Sequence, residues 1–341
     1  MSRERVTIRD IASIAGVSTA TVSRFLNRTG NVEESTARRI ADAIERTHYT
    51  PSMAASSLRN QKNHMLLLVV PDICNPFYSS MAKSVQMLAN ARGYVMALFD
   101  SGDADLEMEL SAVNLAQRMN ASGILFASIY AKPSVISRLE QTSIPAVGLN
   151  AYEHCGFDSV HVQRKGGTYL AMRHLIELGH TDIAFAGGTP GSVIAQSRYD
   201  GYVRGLRAAN IALRDEMTFE MGFSEQDGYK AGCYFSTLRP LPTAICCAND
   251  LVALGVIQAL GECGLSVPGD ISVTGMDDIP YGRTSSPKLT TVDNDGEKFA
   301  REGFRMLFER IDGTYTDAAR SLEIPNELII RASTGAPAAR P

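Results

Sequence analysis

The strongest candidates for contact with another molecule lie on one short stretch that follows Ser18. The outward-facing positions of a predicted helix there are Thr19, Ala20, Thr21, Ser23 and Arg24. An arginine in this setting can donate two hydrogen bonds to O6 and N7 of guanine, whereas serine and threonine hydroxyls suit phosphate oxygens. The pattern is therefore typical of a helix that enters the major groove of DNA.

A second set of polar and aromatic residues follows apolar runs that are predicted strands. These residues are Phe77, Tyr78, Asn150, Arg198, Asn249 and Asp277. Ligands of parallel α/β sheets bind at the carboxyl ends of the strands, where these side chains would meet. Amides, carboxylates and a guanidinium can hydrogen-bond sugar hydroxyls, and an aromatic face can cover the apolar C–H edges of a sugar. The set favours a neutral carbohydrate.

Motifs of enzymatic catalysis are missing from the sequence. It contains no phosphate-binding G-x-x-x-x-G-K-[ST], no G-x-G-x-x-G after the first strand, no G-x-S-x-G and no H-E-x-x-H. The six histidines have no spacing typical of metal ligands. We therefore predict no catalytic residue, no metal site and no cofactor, and interpret the chain as a non-enzyme.

Three short helices must position the first set of residues. The first helix has an apolar face formed by Ile8, Ile11, Ala12 and Ala15. Thr7 and Asp10 have capping-box spacing, Gly16 can supply the positive φ of a tight turn, and Ser18 can cap the second helix. With a third helix over residues 34–46, this is a helix-turn-helix layout, and Thr7, Ser18 and Asn27 join the candidate DNA contacts.

Short apolar strands alternate with longer amphipathic helices from residue 65 onward. The predicted strands cover residues 65–70, 94–99, 123–126, 146–149, 183–186, 244–247, 271–275 and 289–292. Continuous apolar runs separated by helices indicate parallel strands that are buried on both faces. The length suits two such sheets, so we expect an all-α head followed by an α/β body of two parallel-sheet subdomains.

Charge divides the chain into two parts. Residues 1–62 contain ten lysines and arginines against six acidic residues, a net charge of +4, and the remainder has a net charge of −8. A basic head on an acidic body indicates an anionic partner for the head alone. No apolar run is long enough to span a bilayer, and the start resembles no secretory signal, so we expect a cytoplasmic protein without a membrane partner.

The head resembles that of the LacI/GalR family of bacterial transcription regulators. The resemblance starts with Ile11-Ala12, Ala15-Gly16-Val17-Ser18 and Thr21-Val22-Ser23-Arg24, and it continues in the body over about residues 6–334. The matching body motifs are Asn75-Pro76-Phe77-Tyr78, Gly179-His180, Asn249-Asp250-Leu251-Val252-Ala253-Leu254-Gly255, Val267-Pro268-Gly269-Asp270-Ile271-Ser272-Val273, Gly275-Met276-Asp277-Asp278 and Pro287-Lys288-Leu289-Thr290-Thr291-Val292.

The resemblance implies roles for particular residues. Thr19, Ala20 and Arg24 match positions that read bases, and residues 52–60 match a hinge helix that enters the minor groove. Within that hinge, Leu58 matches a leucine that wedges into a base step, with Ala55 and Arg59 as further DNA contacts. The implied effector-pocket positions are Phe77, Tyr78, Asn150, Ser192, Arg198, Phe223, Asn249 and Asp277. Asn150 departs from the aspartate that many relatives have.

The resemblance also implies a domain plan. We predict a helix-turn-helix domain over 1–50, a hinge helix or linker over 51–62, an effector-binding and dimerisation domain over 63–334, and a disordered tail over 335–341. Within the third domain, one subdomain comprises about 63–150 plus 292–320. The other comprises about 152–289 plus 322–334.

The resemblance implies a homodimeric repressor that binds a near-palindromic double-stranded operator. A small effector, for which a sugar is the preferred candidate, would control this binding allosterically. A nucleoside or sugar phosphate remains an alternative effector, since the family includes such sensors. A carbohydrate solute-binding protein is the alternative from another class, but the basic head occupies the place of its signal peptide. A sugar enzyme fused to a DNA-binding head would need a phosphate loop and a catalytic base, which the sequence lacks.

Overall fold

The computed structural model describes residues 6–27, 31–49, 64–102, 106–150, 152–153, 155–163 and 166–338. The chain forms two compact units, Met1–Asn63 and His64–Pro341. We describe each unit by itself, as the head and the body.

The head contains three helices, α1 (Ile8–Ala15), α2 (Thr19–Asn27) and α3 (Glu34–Thr47). Thr7 and Asp10 form the predicted capping box, in which the Thr7 backbone N–H and hydroxyl both donate to Asp10 Oδ2 at 2.7 Å. Gly16 ends α1 at a φ of 63°, a left-handed conformation that costs glycine little. The helices enclose a small core of Ile11, Ala12, Ala15, Val22, Ile40 and Ala43. The predicted helical head is confirmed.

The body alternates strands with helices. Its elements in chain order are β1 (Met65–Val70), α4 (Pro76–Ala91), β2 (Val95–Asp100), α5 (Leu106–Arg118), β3 (Gly123–Ser128), α6 (Pro133–Glu140), β4 (Ala146–Asn150), β5 (Asp158–Val162), α7 (Gly167–Glu177), β6 (Ile183–Ala186), α8 (Val193–Ala208), β7 (Thr218–Phe219), α9 (Glu225–Thr237), β8 (Ala244–Cys247), α10 (Asp250–Glu262), β9 (Ser272–Met276), α11 (Pro280–Thr284), β10 (Thr290–Asp293), α12 (Gly296–Ile311), β11 (Ser321–Ile324) and β12 (Glu327–Ile329).

These strands form two sheets of predominantly parallel strands. The first has the order β11-β5-β4-β3-β1-β2, and the second has the order β12-β10-β9-β8-β6-β7. All described pairings are parallel except that of β12 with β10. Every residue of β3 is buried, because helices cover both faces of the sheet. The predicted α/β body of two subdomains is confirmed.

The predicted subdomain boundaries differ from the structure in three places. The chain passes between the sheets after Val162, after Asp293 and after Ile324, instead of near residues 151, 290 and 321. Strand β5 belongs to the first sheet because it pairs with β4 and β11, and Asp158 at its start accepts hydrogen bonds from Arg310 and Arg320. Its run of alternating polar residues does not resemble the continuous apolar strands on which the prediction relied.

The predicted disordered tail is wrong for its first residue, Gly335. Gly335 donates its backbone N–H to Ser272 Oγ at 3.0 Å, and its carbonyl oxygen accepts a hydrogen bond from His180 Nε2 at 2.8 Å. The small-residue composition that indicated disorder contains no information about these partners elsewhere in the fold. Residues 339–341 of the predicted tail lie outside the described residues.

Candidate functional site

The outer surface of the head carries the residues predicted to meet DNA. Ser18, Thr19, Ala20 and Arg24 are exposed. Ser18 Oγ accepts the backbone N–H of Thr21 at 3.1 Å and lies 2.9 Å from the Thr21 hydroxyl oxygen, so it caps α2 as expected. The first turn of α2 therefore presents short exposed side chains, and the longer exposed side chain of Arg24 lies one turn further along the helix.

Only some of the other predicted DNA contacts lie among the described residues. Thr7 is exposed at the N-terminus of α1, and Ser23 is half-buried on α2. The side chain of Asn27 is not described. The predicted hinge residues Ala55, Leu58 and Arg59 lie outside the described residues, so their roles stay predictions from the sequence.

The body has a cleft between its two sheets, at the carboxyl ends of the strands. Its volume is about 530 Å³ counted out to the solvent at its mouth. Seven of the eight predicted pocket residues line it: Phe77, Tyr78, Asn150, Arg198, Phe223, Asn249 and Asp277. Residues up to 200 positions apart in the chain thus meet at the carboxyl ends of the parallel strands, as the sequence predicted.

A buried ion pair forms one wall of the cleft. Arg198 Nη2 donates to Asp277 Oδ1 at 3.1 Å, and Arg198 Nη1 donates to the carbonyl oxygen of Ala248 at 2.5 Å. Asn294 Nδ2 donates to the same oxygen of Asp277 at 2.6 Å. The Arg198 guanidinium also lies 5.4 Å from the ring centroid of Phe223. These contacts fix the guanidinium and the carboxylate, which together carry no net charge.

Burial dominates the acid–base behaviour of two carboxyls near the cleft. It raises the pKa of Asp277 above 3.8, although the nearby Arg198 charge acts in the opposite direction. It raises the pKa of Asp250 well above 3.8, against the lowering effect of the Thr291 hydroxyl. Asp250 also accepts the backbone N–H of Ile279 at 2.8 Å, so it holds the loop that follows Asp277.

Two predicted pocket residues are helix caps. Asn249 lines the cleft, but its Oδ1 accepts the Val252 backbone N–H at 2.9 Å and its Nδ2 donates to the carbonyl oxygen of Phe223 at 2.9 Å. Ser192 is not among the residues that line the cleft. It caps α8 and donates its hydroxyl to the carbonyl oxygen of Ile129 at 2.9 Å. The structure thus uses the Ser192 hydroxyl in the helix cap and in the bond to Ile129, and a role for Ser192 in ligand binding stays a prediction.

The remaining predicted residues give the cleft an aromatic surface, formed by Phe77 and Tyr78, and the amide group of Asn150. The Phe77 and Tyr78 rings meet edge to face at 5.2 Å between centroids, at the N-terminus of α4, which Asn75 caps. Asn150 ends β4 at a φ of 70°, a conformation that asparagine tolerates better than most residues. Its side chain makes no hydrogen bond to the other described residues, so its amide is available to a ligand.

Sequence reasoning missed several lining residues: Asp72, Asn75, Val162, Ile194 and Asn294. Asn294 follows β10 as the other polar residues follow their strands, so the same rule could have found it. Val162 could not be found, because β5 was not recognised as a strand. Ile194 lies one turn before Arg198 on α8, and helical spacing could have indicated it.

The described residues contain neither a metal-binding cluster nor a membrane-spanning helix. That part of the chain holds no group of three or more His, Cys, Asp or Glu side chains that could bind a metal ion. No helix within the described ranges is long and apolar enough to cross a membrane.

Comparisons with known proteins agree with this architecture. The model of bacterial regulatory proteins of the lacI family matches residues 7–52, and the model of a periplasmic binding protein-like domain matches residues 172–334. The fold and the two sites thus define a DNA-binding regulator with a ligand-binding body. The chain belongs to the LacI family of transcriptional regulators.

Relatives and solved structures cover the chain almost completely. It is 32% identical to the HTH-type transcriptional repressor PurR of Actinobacillus pleuropneumoniae serotype 3 (strain JL03), over 96% of this chain and 98% of that protein. It resembles the lac repressor dimer bound to operator and the anti-inducer ONPF, with a TM-score of 0.88 and 26% identity over 98% of this chain and 100% of the other. It also resembles a complex of the regulator CelR with cellobiose, with a TM-score of 0.72 and 26% identity over 96% and 100% of the two chains.

Proposed function

We propose that α2 reads a near-palindromic operator in the major groove and that a ligand in the cleft controls this binding. The observation that carries the DNA assignment is the exposed face at the start of α2, where Thr19, Ala20 and, one turn later, Arg24 are all exposed. The net charge of +4 on residues 1–62 supports it, because two such heads bring about eight excess positive charges to the DNA. Operator affinity should therefore fall steeply with salt.

Footprinting on operator DNA selected from a random library tests the α2 assignment. Arg24→Ala should reduce discrimination against a changed base pair by about 1–3 kcal/mol, because it removes the side chain that can bind guanine bidentately. Arg38→Ala is the matched control, since Arg38 is an exposed arginine of α3 that pairs with Glu34. Unchanged selectivity in the Arg24 variant would remove Arg24 from the reading residues.

We propose a neutral carbohydrate as the effector. Arg198 is already committed to Asp277 and to Ala248, and the remaining charged lining residue, Asp72, is acidic and therefore disfavours an anionic ligand. The amide of Asn150 and the rings of Phe77 and Phe223 then offer hydrogen bonds to hydroxyls and apolar cover to a sugar ring. The CelR complex with cellobiose supports a sugar, as a resemblance to another member of the fold.

A nucleobase or nucleoside is the second candidate. Phe77 and Phe223 both line the cleft, and aromatic rings can stack on a flat base as well as cover a sugar. A thermal-shift screen of sugars, sugar phosphates and nucleosides separates the candidates. A ligand present at 100 times its Kd should stabilise the body by about 2.7 kcal/mol, and a shift with nucleosides alone would contradict the carbohydrate proposal.

We propose a homodimer that uses the edge strand β2 and the helices beside it. Large apolar side chains are exposed on this edge, and they are Met87, Val95, Leu98 and Met108. An apolar edge strand left in water promotes association, so a second copy that covers it removes an otherwise unfavourable surface. Leu98→Asp should give a monomer in light scattering. Leu213→Asp, a control at an exposed leucine elsewhere on the body, should not.

We place this regulator in the cytoplasm, where bacterial operators lie. We also propose that the cleft binds its ligand without transforming it. The hydrogen bonds of Asn249 and the ion pair of Asp277 support this, because both side chains serve to hold the walls of the cleft.

A further inference from the structure

A second compartment adjoins the cleft on the side where the chain crosses between the sheets. Its volume is about 270 Å³ counted to the solvent. Five residues line both the compartment and the cleft: Asn150, Val162, Ile194, Arg198 and Asn294. Ser197 and Asn326 line only the compartment. A substituent of a ligand in the cleft can therefore reach past Arg198 towards Ser197 and Asn326.

Ser197 presents a hydroxyl that the fold leaves unused. The residue is 8% exposed, and its Oγ is buried without a hydrogen-bond partner among the described residues. Buried side-chain hydroxyls nearly always have a partner, because an unpartnered one loses its bonds to water and gains nothing. Ser197 precedes Arg198 on α8, and both residues line the compartment.

Asn326 presents a carbonyl oxygen, and a chain of hydrogen bonds fixes which way its amide points. Asp277 is a carboxylate that accepts from Asn294, so Asn294 must offer its Nδ2 there and leave its Oδ1 as an acceptor. Asn326 Nδ2 donates to that Oδ1 at 2.6 Å. The Oδ1 of Asn326 is therefore the free end, and it is buried without a partner among the described residues.

We propose that this compartment is a subsite for one hydroxyl group of the effector. That hydroxyl donates to Asn326 Oδ1 and accepts from the Ser197 hydroxyl, which satisfies both unused groups. An ammonium group is disfavoured because the Arg198 guanidinium lies in the same wall. A phosphate or carboxylate is disfavoured because it would face the acceptor oxygen of Asn326, and Arg198 is already paired with Asp277.

The subsite rests on the carbohydrate proposal above and makes it more specific. Asn294 and Asn326 lie in two of the segments that connect the sheets, after β10 and between β11 and β12. A hydroxyl bound there touches the segments about which the two subdomains would move. The subsite thus selects among sugars by the presence of one hydroxyl and links that choice to the conformation of the body.

Calorimetric titration of the full chain tests the subsite with D-glucose, D-galactose, D-ribose, cellobiose and the monodeoxy derivatives of whichever sugar binds. Ser197→Ala should weaken binding of the intact sugar about fivefold, the usual value of one neutral hydrogen bond. One monodeoxy derivative should bind wild type and Ser197→Ala with the same affinity, because the hydroxyl that uses Ser197 is already missing.

Thr168→Val is the matched control. Thr168 also has a buried hydroxyl without a described partner, but it lies on α7 and is not among the residues that line the compartment. Its removal should leave sugar affinity unchanged. Equal sugar affinity of wild type and Ser197→Ala overturns the subsite and leaves the carbohydrate proposal standing. Absence of binding by every sugar overturns both.

Discussion

Removal of the Asp277 carboxylate should destabilise the body strongly, because it leaves the Arg198 guanidinium buried without a counter-charge. The two side chains are 5% and 10% exposed, so solvent screens their interaction little. Breaking a buried pair by truncating one partner costs about 3–5 kcal/mol. For a body of this size, that lowers the midpoint of thermal unfolding by about 10 °C.

A double variant distinguishes a charge effect from a loss of packing. Arg198→Met together with Asp277→Ala removes both charges, so it should recover at least half of the stability that Asp277→Ala loses. Urea unfolding should be measured at pH 8. Burial raises the pKa of Asp277, and the carboxyl must be charged in the wild type for the comparison.

Two results would refute this account of the pair. The first is a loss below about 1 kcal/mol in Asp277→Ala, which would mean that water enters the cleft and solvates the guanidinium. The second is an additive loss in the double variant, which would mean that the two charges do not interact. Either result would leave the cleft without the rigid Arg198–Asp277 pair on which the carbohydrate proposal depends.

Three further perturbations test other parts of the structure. Gly16→Ala should reduce the stability of the head by about 1 kcal/mol, because alanine is strained at the φ of 63° that Gly16 adopts. The backbone amides of α1 should then exchange hydrogen about fivefold faster, and an unchanged exchange rate contradicts this. Asp158→Ala should cost about 3–5 kcal/mol in urea unfolding. Burial raises the pKa of Asp158, but the hydrogen bonds from Arg310 and Arg320 outweigh it and lower the pKa below 3.8, so this stability is lost as the pH falls through that lowered value. The raised pKa of Asp250 means that the folded body binds an extra proton, so wild-type stability should decrease from about pH 4 upward relative to Asp250→Asn. Parallel stability curves for the two proteins would contradict the Asp250 assignment.

The helices of the head and the central strands of the body could be predicted because their signals are local. Thr7, Asp10 and Gly16 specify where α1 begins and ends through bonds that span three residues. The runs at β6 and β8 are apolar throughout, because helices cover both sides of their sheet, and their predicted bounds are those of the structure. The carboxyl ends of such strands then indicated most of the cleft.

The features that were missed depend on distant partners. Strand β5 begins at a carboxylate whose arginine partners lie 152 and 162 positions later in the chain. Ser192 has the residue type of a pocket group, but its cap and its bond to Ile129 determine its orientation. The unpartnered Oγ of Ser197 and Oδ1 of Asn326 can be recognised only when every hydrogen bond around them has been assigned. None of these contacts leaves a periodic signal in the sequence.

The coupling between the cleft and the head is the central claim, and one titration tests it most directly. Fluorescence anisotropy of labelled operator DNA with the full chain should give an operator Kd that changes about 5- to 150-fold when a bound sugar saturates the cleft. The same sugar should leave the operator Kd of Asp277→Ala unchanged. An operator Kd of the wild type that is identical with and without bound sugar would contradict the account, because a ligand without differential affinity for the two states cannot control DNA binding.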